Sequence, residues 1–350
     1  MNGERTSTQL DQLHRAKAEA VARYLKPNGN IVGVGIGQKP IDGKATDCVR
    51  IYVVLRQDEA AIPSSQLVPK GTTICDVPVD VIEVGRFGKN GQKPINDEGT
   101  TTRPGSPVRV RTAATNVNEG KRGTLGAVVT DGDAYYILGC NHVLAVNGRV
   151  PADPDLAQVV SGEFVGVEAK IASPDEFVPL LRDTRNSADC ALARLKDRDS
   201  VPATFPDGTV RLTSPDAIAP ELGMYVRKFG AGTGLTHGTI VDTDVDLYVD
   251  YSFGTFHFEH QVVIQSSEGG KEFATGGDSG SVVIAGTDAK EGQATGMIFA
   301  ASGKFAVACP FSTVLSELAA QLKKASRPPV SLVVTADSTE VTSQTAQIQK

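Results

Sequence analysis

Residues 124–145 read Thr-Leu-Gly-Ala-Val-Val-Thr-Asp-Gly-Asp-Ala-Tyr-Tyr-Ile-Leu-Gly-Cys-Asn-His-Val-Leu-Ala. Two short apolar runs, Thr124 to Val129 and Ala134 to Leu138, flank an Asp131-Gly132 turn, and that pattern predicts a β-hairpin. The second run delivers His142 to the end of a strand, where its ring can face a cleft. Taken alone, a histidine in that place is more often structural or exposed than catalytic.

Downstream the same pattern repeats: Ala191 to Leu195, Val210 to Leu212, Tyr225 to Phe229, Thr239 to Val249, Phe256 to Gln265, Ser281 to Ile284, Ala294 to Ala300 and Phe305 to Ala308. Many strands with few intervening helices predict antiparallel barrels or a sandwich. Val241, Val245, Leu247 and Val249 alternate with Asp242, Asp244, Asp246 and Asp250, the period of a half-buried strand; the aspartates read as its solvated face, not as a cation site. Val314, Leu315, Leu318 and Leu322 predict a helix capped by Ser312 and stopped by Pro328-Pro329. The Ser-, Thr- and Gln-rich remainder to Lys350 predicts a mobile tail.

Upstream, Leu10, Leu13, Ala20, Val21, Tyr24 and Leu25 recur at helical spacing behind Ser7 or Thr8 as N-cap, with Pro27-Asn28-Gly29 as a stop. Apolar stretches at Ile31 to Ile36, Val49 to Leu55 and Val77 to Val84 predict a small α+β unit. Arg86 to Pro107, rich in Gly, Asn, Lys and Pro, has the composition of a linker. The expected divisions are an N-terminal helix (1–30), an accessory α+β domain with its linker (31–100), a β domain (101–327) and the tail (328–350).

With 350 residues, 40% of them hydrophobic, the chain can bury a large core, which excludes disorder as its main theme. Its 35 basic residues are scattered among 41 acidic ones, for a net charge of -6, so nucleic acid is not an expected partner. No apolar run approaches the roughly 20 residues a membrane-spanning helix needs, so no membrane partner is expected. Met1 to Leu25 has no apolar core before a small-residue cleavage site, and the expected location is cytoplasmic. Five cysteines without a CxxC pair point to reduced thiols, with no metal cluster and no cofactor.

Gly276-Gly277-Asp278-Ser279-Gly280-Ser281 precedes the apolar strand Val282-Val283-Ile284. A nucleophilic serine must project from a tight turn, and glycines let the Gly277 and Ser279 amides both point at a developing oxyanion. The same string also suits an ordinary surface turn. A serine needs a base and a carboxylate that orients the base. His142 is a candidate for the first. Asp189, at the mouth of the apolar stretch Cys190-Ala191-Leu192-Ala193, is a candidate for the second, although an acid there can be a mere turn former. The three occur in the order His, Asp, Ser.

At this point the chain resembles the trypsin-like serine peptidases, and more closely their intracellular bacterial and plant branch that includes the plant NARROW LEAF proteins. The shared features are Ile137-Leu138 with Asn141-His142-Val143-Leu144-Ala145, Asp189-Cys190-Ala191-Leu192-Ala193, Gly234-Leu235-Thr236 with Gly238, Gly277-Asp278-Ser279-Gly280-Ser281, and the Gly33-Val34-Gly35-Ile36-Gly37 strand. The resemblance implies a mainly β fold of two six-stranded antiparallel β-barrels, with His142 and Asp189 on the first and Ser279 on the second. It implies His142 as general base and then acid, Asp189 as its orienter, Ser279 as nucleophile, and the Gly277 and Ser279 amides as oxyanion hole. It implies protein or peptide substrates, and leaves room for a regulatory activator and for a homo-oligomer.

By alignment the base of the specificity pocket is Phe273 and its wall is Phe299, Ala300, Ala301 and Ser302, so a small or medium apolar residue before the scissile bond is expected. Zymogen-type relatives bury a freshly cut Ile-Val-Gly-Gly terminus against the acid before the serine. Ile31-Val32-Gly33-Val34 invites that comparison but lies inside an expected strand far upstream, so Asp278 requires another partner. Two rivals stand beside the peptidase reading: a binding module of the same fold with an unassembled triad, and an esterase or acyl-transfer enzyme using the same nucleophile.

Overall fold

A computed structural model describes residues 6–55, 62–88, 101–112, 122–153, 157–164, 167–206, 208 and 210–334. Residues 335–350 of the expected mobile tail and the middle of the expected linker, with the boundary near residue 100, lie outside the described residues; over 328–334 the expected tail is corrected, because Ser331–Leu332 forms a strand and Val330 and Leu332 are buried.

The N-terminal part comprises α1 (Ser7–Tyr24), β1 (Ile31–Ile41), β2 (Lys44–Val53), β3 (Thr73–Ile74) and β4 (Val77–Glu83). The cap of α1 is Thr6, one residue before the expected one: its hydroxyl accepts from the Gln9 amide, and the Gln9 side chain accepts from the Thr6 amide. Leu13, Ala16, Ala20 and Tyr24 of α1 pack on Ile31, Val34, Val49, Ile51 and Val79, giving this part a core of its own.

A first β lobe contains β5 (Pro107–Thr112), β6 (Gly123–Thr124), β7 (Ala127–Thr130), β8 (Tyr135–Gly139), α2 (Asn141–Leu144), β9 (Ala157–Phe164), β10 (Val167–Phe177) and β12 (Ala191–Leu195); between the last two strands, β11 (Arg185–Asn186) leaves this lobe to pair with the other sheet. A second contains β13 (Tyr225–Gly230), β14 (Gly234–Tyr251), β15 (Gly254–Ser266), β16 (Val282–Ala285), β17 (Ala294–Ser302) and β18 (Phe305–Pro310), followed by α3 (Phe311–Lys324) and β19 (Ser331–Leu332). In the second lobe the antiparallel pairings β13–β14, β14–β15, β15–β18, β18–β17, β17–β16 and β16–β13 close a ring of six strands. Closure removes open edges over the paired stretches of the ring. The first lobe is an eight-stranded sheet in the order β19-β7-β8-β12-β10-β9-β5-β6. Only Leu125 and Gly126 separate β6 from β7, and the run from Gly123 to Thr130 pairs with β5 at one end and β8 at the other. The sheet thus curls back on itself through one kinked strand.

Several sequence expectations need correction. Val210 to Leu212 is not a strand; Val210 and Leu212 are buried in an irregular segment. The strands β5, β9 and β10 were not expected, because Pro and Arg in β5, Gly and Glu in β9, and Glu, Lys, Asp and Pro in β10 break the apolar pattern. The helix α3 begins at Phe311, with Pro310 in the cap position in place of Ser312.

The N-terminal strands are not a detached unit. β1 pairs with β14 at Gly33↔Leu247 and Val34↔Asp246, so β1, β2, β4 and β3 extend the sheet of the second lobe. Gly33, Gly35 and Gly37 recur with period 2 and form a trough for β14. A Cβ on Gly35 would lie 2.7 Å from Val245 Cγ2, and one on Gly37 would lie 2.1 Å from Asp242 Oδ1.

This docking overturns the solvated face expected for the β14 aspartates. Asp242 is fully buried, and Asp246 and Asp250 are buried too. Asp242 accepts from Arg50 Nη1 at 3.2 Å and from the Tyr52 hydroxyl. Lys17 of α1 places its ammonium 2.6 Å from both Asp244 Oδ1 and Asp246 Oδ1.

Candidate active site

β8 and β12 are antiparallel neighbours with Gly139 opposite Ala191. Chain leaving β8 and chain entering β12 therefore meet at one end of the sheet, which brings His142 and Asp189 together. His142 Nδ1 lies 2.6 Å from Asp189 Oδ2, and the His142 amide donates to Asp189 Oδ1 at 3.2 Å. One further donor holds the acid: the Tyr251 hydroxyl donates to Oδ2 at 2.7 Å, while the Asp189 backbone amide itself donates to Cys309 Sγ at 3.4 Å. Complete burial pushes the Asp189 carboxyl up, but His142 and the Tyr251 and amide hydrogen bonds outweigh it and leave the group below its ordinary value. An ionised carboxylate fixed on Nδ1 leaves Nε2 as the nitrogen available to a substrate or nucleophile.

Tyr251 is a residue of the candidate site that sequence reasoning missed. It ends β14, its ring centroid is 5.1 Å from that of His142, and burial raises its hydroxyl well above the ordinary value, so it stays a donor. A Tyr at the end of an alternating strand carries no sequence signal of that role.

Ser279 sits in the turn before β16 and shares one cleft with His142, Tyr251, Gly277, Phe299 and Ala300. The turn is tied to both lobes: Thr124 N donates to Ser279 O at 2.8 Å, Thr124 Oγ1 donates to Gly277 O at 2.8 Å, and Gly280 N donates to Ile298 O at 2.7 Å. Gly277 has φ +107°, a conformation side chains disfavour. Neither the Gly277 nor the Ser279 amide has a hydrogen-bond partner among the described residues.

The partner required by Asp278 is Lys228. Both are fully buried, with Lys228 Nζ 3.4 Å from Asp278 Oδ1. Asp278 also accepts from the amides of Gly232, Thr233 and Thr275 at 2.9, 3.1 and 2.8 Å. The Gly230–Gly234 stretch is the β13–β14 hairpin turn, and its tip forms this cradle. Burial pulls the Lys228 ammonium below its ordinary value, with Asp278 opposing. Ile31, the first residue of β1, is remote from this role and pairs with Val53.

Of the expected pocket residues, Phe299, Ala300 and Ala301 line the cleft. Phe273 does not: it lies in the core of the second ring, against Lys228. Ser302 is buried, and its hydroxyl donates to Val84 O.

Two side-chain groups have the composition of a metal site. Cys140, His142 and Asp189 lie close together, but Asp189 already engages His142 Nδ1, and burial holds the Cys140 thiol well above its ordinary value. In the group Asp244, Asp246 and His260, the Lys17 ammonium already lies between the carboxylates. Among the described residues, no helix is long and apolar enough to cross a membrane.

No protein-family model and no curated protein matches the chain. Solved structures do. Protease A of Thermobifida fusca is 18% identical over 67% of this chain and all of its own, with a TM-score of 0.43. A chymotrypsin of Cellulomonas bogoriensis is 16% identical over 67% of this chain and all of its own, with a TM-score of 0.40. A glutamic acid specific serine protease is 17% identical over 66% of this chain, with a TM-score of 0.43. With scores below 0.5, these likenesses carry no weight for activity or specificity; the geometry of the site has to.

Proposed function

We propose that the protein is a serine endopeptidase acting on protein or peptide substrates, with residues 101–327 as its catalytic part. The observation that carries this reading is the 2.6 Å contact of His142 Nδ1 with a buried Asp189, on the wall of a cleft that also holds Ser279.

In this reading His142 Nε2 takes the Ser279 proton as Oγ attacks the scissile carbonyl. The developing oxyanion is met by the Gly277 and Ser279 amides. The protonated imidazole then gives its proton to the leaving amine, and an acyl-enzyme remains. Water, deprotonated by the same nitrogen, hydrolyses the acyl-enzyme and restores Ser279. Asp189 stays ionised throughout, holding one tautomer and stabilising the imidazolium. Lys228 supports an oxyanion hole that needs no newly cut N-terminus, because an internal ammonium already satisfies Asp278.

Phe299, Ala300 and Ala301 offer an apolar wall with no acid, which suits a small or medium apolar residue before the scissile bond. Fluorogenic peptides differing only at that residue test the reading. Turnover should require Ser279 and favour Ala, Val or Leu; preference for Arg would contradict the specificity, and turnover unchanged in Ser279→Ala would contradict the mechanism.

A further inference from the structure

The floor of the cleft ends in an unusual way. β17 is paired with β16 only as far as Val282↔Met297, while its pairing with β18 continues to Ser302↔Phe305. From Phe299 onward no strand among the described residues pairs with the edge of β17 facing away from β18, and Phe299, Ala300 and Ala301 line the cleft there. An extended peptide bound with its carbonyl at Ser279 would add to such an edge through main-chain hydrogen bonds.

The chain already fills part of that edge with its own backbone. After β4, the Val84 and Gly85 amides donate to Val53 O at 2.9 and 3.3 Å, and the Arg86 side chain donates through Nη2 to Asn28 O and Gly29 O at 3.1 and 3.2 Å. The segment then crosses to the catalytic lobe. Val84 O accepts from Ser302 Oγ, Phe87 is buried against Tyr52, Phe87 O accepts from Asp250 N at 3.1 Å, and Gly88 N donates to Ala301 O at 3.3 Å. Gly88 itself lines the cleft with His142 and Ser279. It has φ +97°, and a Cβ there would lie 2.4 Å from Asp250 O, so only glycine can approach so closely.

Building on the peptidase reading, we infer that the Val84–Gly88 segment is a specificity-determining element: it takes the Ala301 carbonyl that a longer substrate would use, and so limits main-chain recognition to the stretch of β17 before it, at Phe299. The substrate class is then a peptide read over about two residues on the acyl side of the scissile bond, with longer extensions contributing little. The N-terminal part is thereby a component of the substrate site.

The test combines hydrogen exchange with a substrate-length series on the full chain. The Val84, Gly85 and Gly88 amides of the free protein should exchange at least about 100-fold more slowly than in an unstructured peptide. Peptides sharing one cleaved residue and leaving group, and extended from two to five residues on the acyl side, should show kcat/KM rising less than about threefold beyond the second residue. In Gly88→Ala, where the new Cβ displaces the segment, the third residue should raise kcat/KM by about tenfold, the effect of one recovered backbone hydrogen bond. Should that variant fail to fold, Ser302→Ala, which removes only the hydroxyl bond to Val84, should show the same trend more weakly. Free exchange of the Val84, Gly85 and Gly88 amides, or a tenfold gain from the third residue in the unaltered protein, would overturn the inference. Absence of turnover with every peptide would instead count against the peptidase reading, and the exchange result would still decide whether the segment holds the β17 edge.

Discussion

Asp189 shows how a single buried charge is made tolerable. An isolated carboxylate in a fully buried place would neutralise itself, so the His142 amide, the His142 ring and the Tyr251 hydroxyl must together stand in for water. Asp189→Asn should keep the fold but allow the wrong imidazole tautomer and lower kcat by about 10⁴-fold. Tyr251→Phe should lower kcat/KM by about 10- to 100-fold, since hydrogen bonds to charged groups contribute about 1.5–3 kcal/mol. Unaltered kinetics in Tyr251→Phe would remove that residue from the account. Lys228→Met strands Asp278 without its counter-charge, and denaturant unfolding should show a loss of about 3–5 kcal/mol. His142, Asp189 and Ser279 were legible in the sequence because each stands in a short local pattern at a strand end. Lys228 and Tyr251 were not: their roles exist only once β13 and β14 are folded against a neighbour far away in the chain. Phe273 was misplaced because counting back from the serine gives a position along the chain but not the direction its side chain takes.

At the scale of elements, the β14 aspartates carry the lesson. Their alternation correctly gave a strand with two unlike faces, but which face meets water depends on what docks there, and the partner is the glycine trough of β1 together with α1. Burial pushes the Asp242 carboxyl up to about 6, with Arg50 and the Tyr52 hydrogen bond opposing. A carboxyl whose folded value is raised holds its proton more tightly in the fold than in the unfolded chain. Its contribution is therefore full below about pH 4 and is lost as the pH rises through about 6. The stability of the unaltered protein relative to Asp242→Asn should accordingly decline between those limits. Urea unfolding at pH 4, 5 and 6 measures this, and a difference that grows with pH would contradict the burial of this group.

For the whole molecule, three cores are joined by shared strands and not by hinges. α1 to β4 pack around one core, the second ring holds another, and a large cluster runs through the first lobe into the strands β14 to β18. The mainly β architecture was legible because short strands and turn residues are local signals. The continuity of β1 with β14 was not, since strand pairing across 200 residues leaves no mark on either strand beyond three spaced glycines. With Lys228 already on Asp278 and the N-terminal strands built into the sheet, the site should be competent in the uncut chain. Treatment of the purified protein and of Ser279→Ala with a fluorophosphonate, followed by intact-mass measurement, tests this most directly. One adduct on the uncut native chain and none on the variant is the predicted result. No adduct on the native protein, or an equal adduct on the variant, would contradict an assembled triad centred on Ser279.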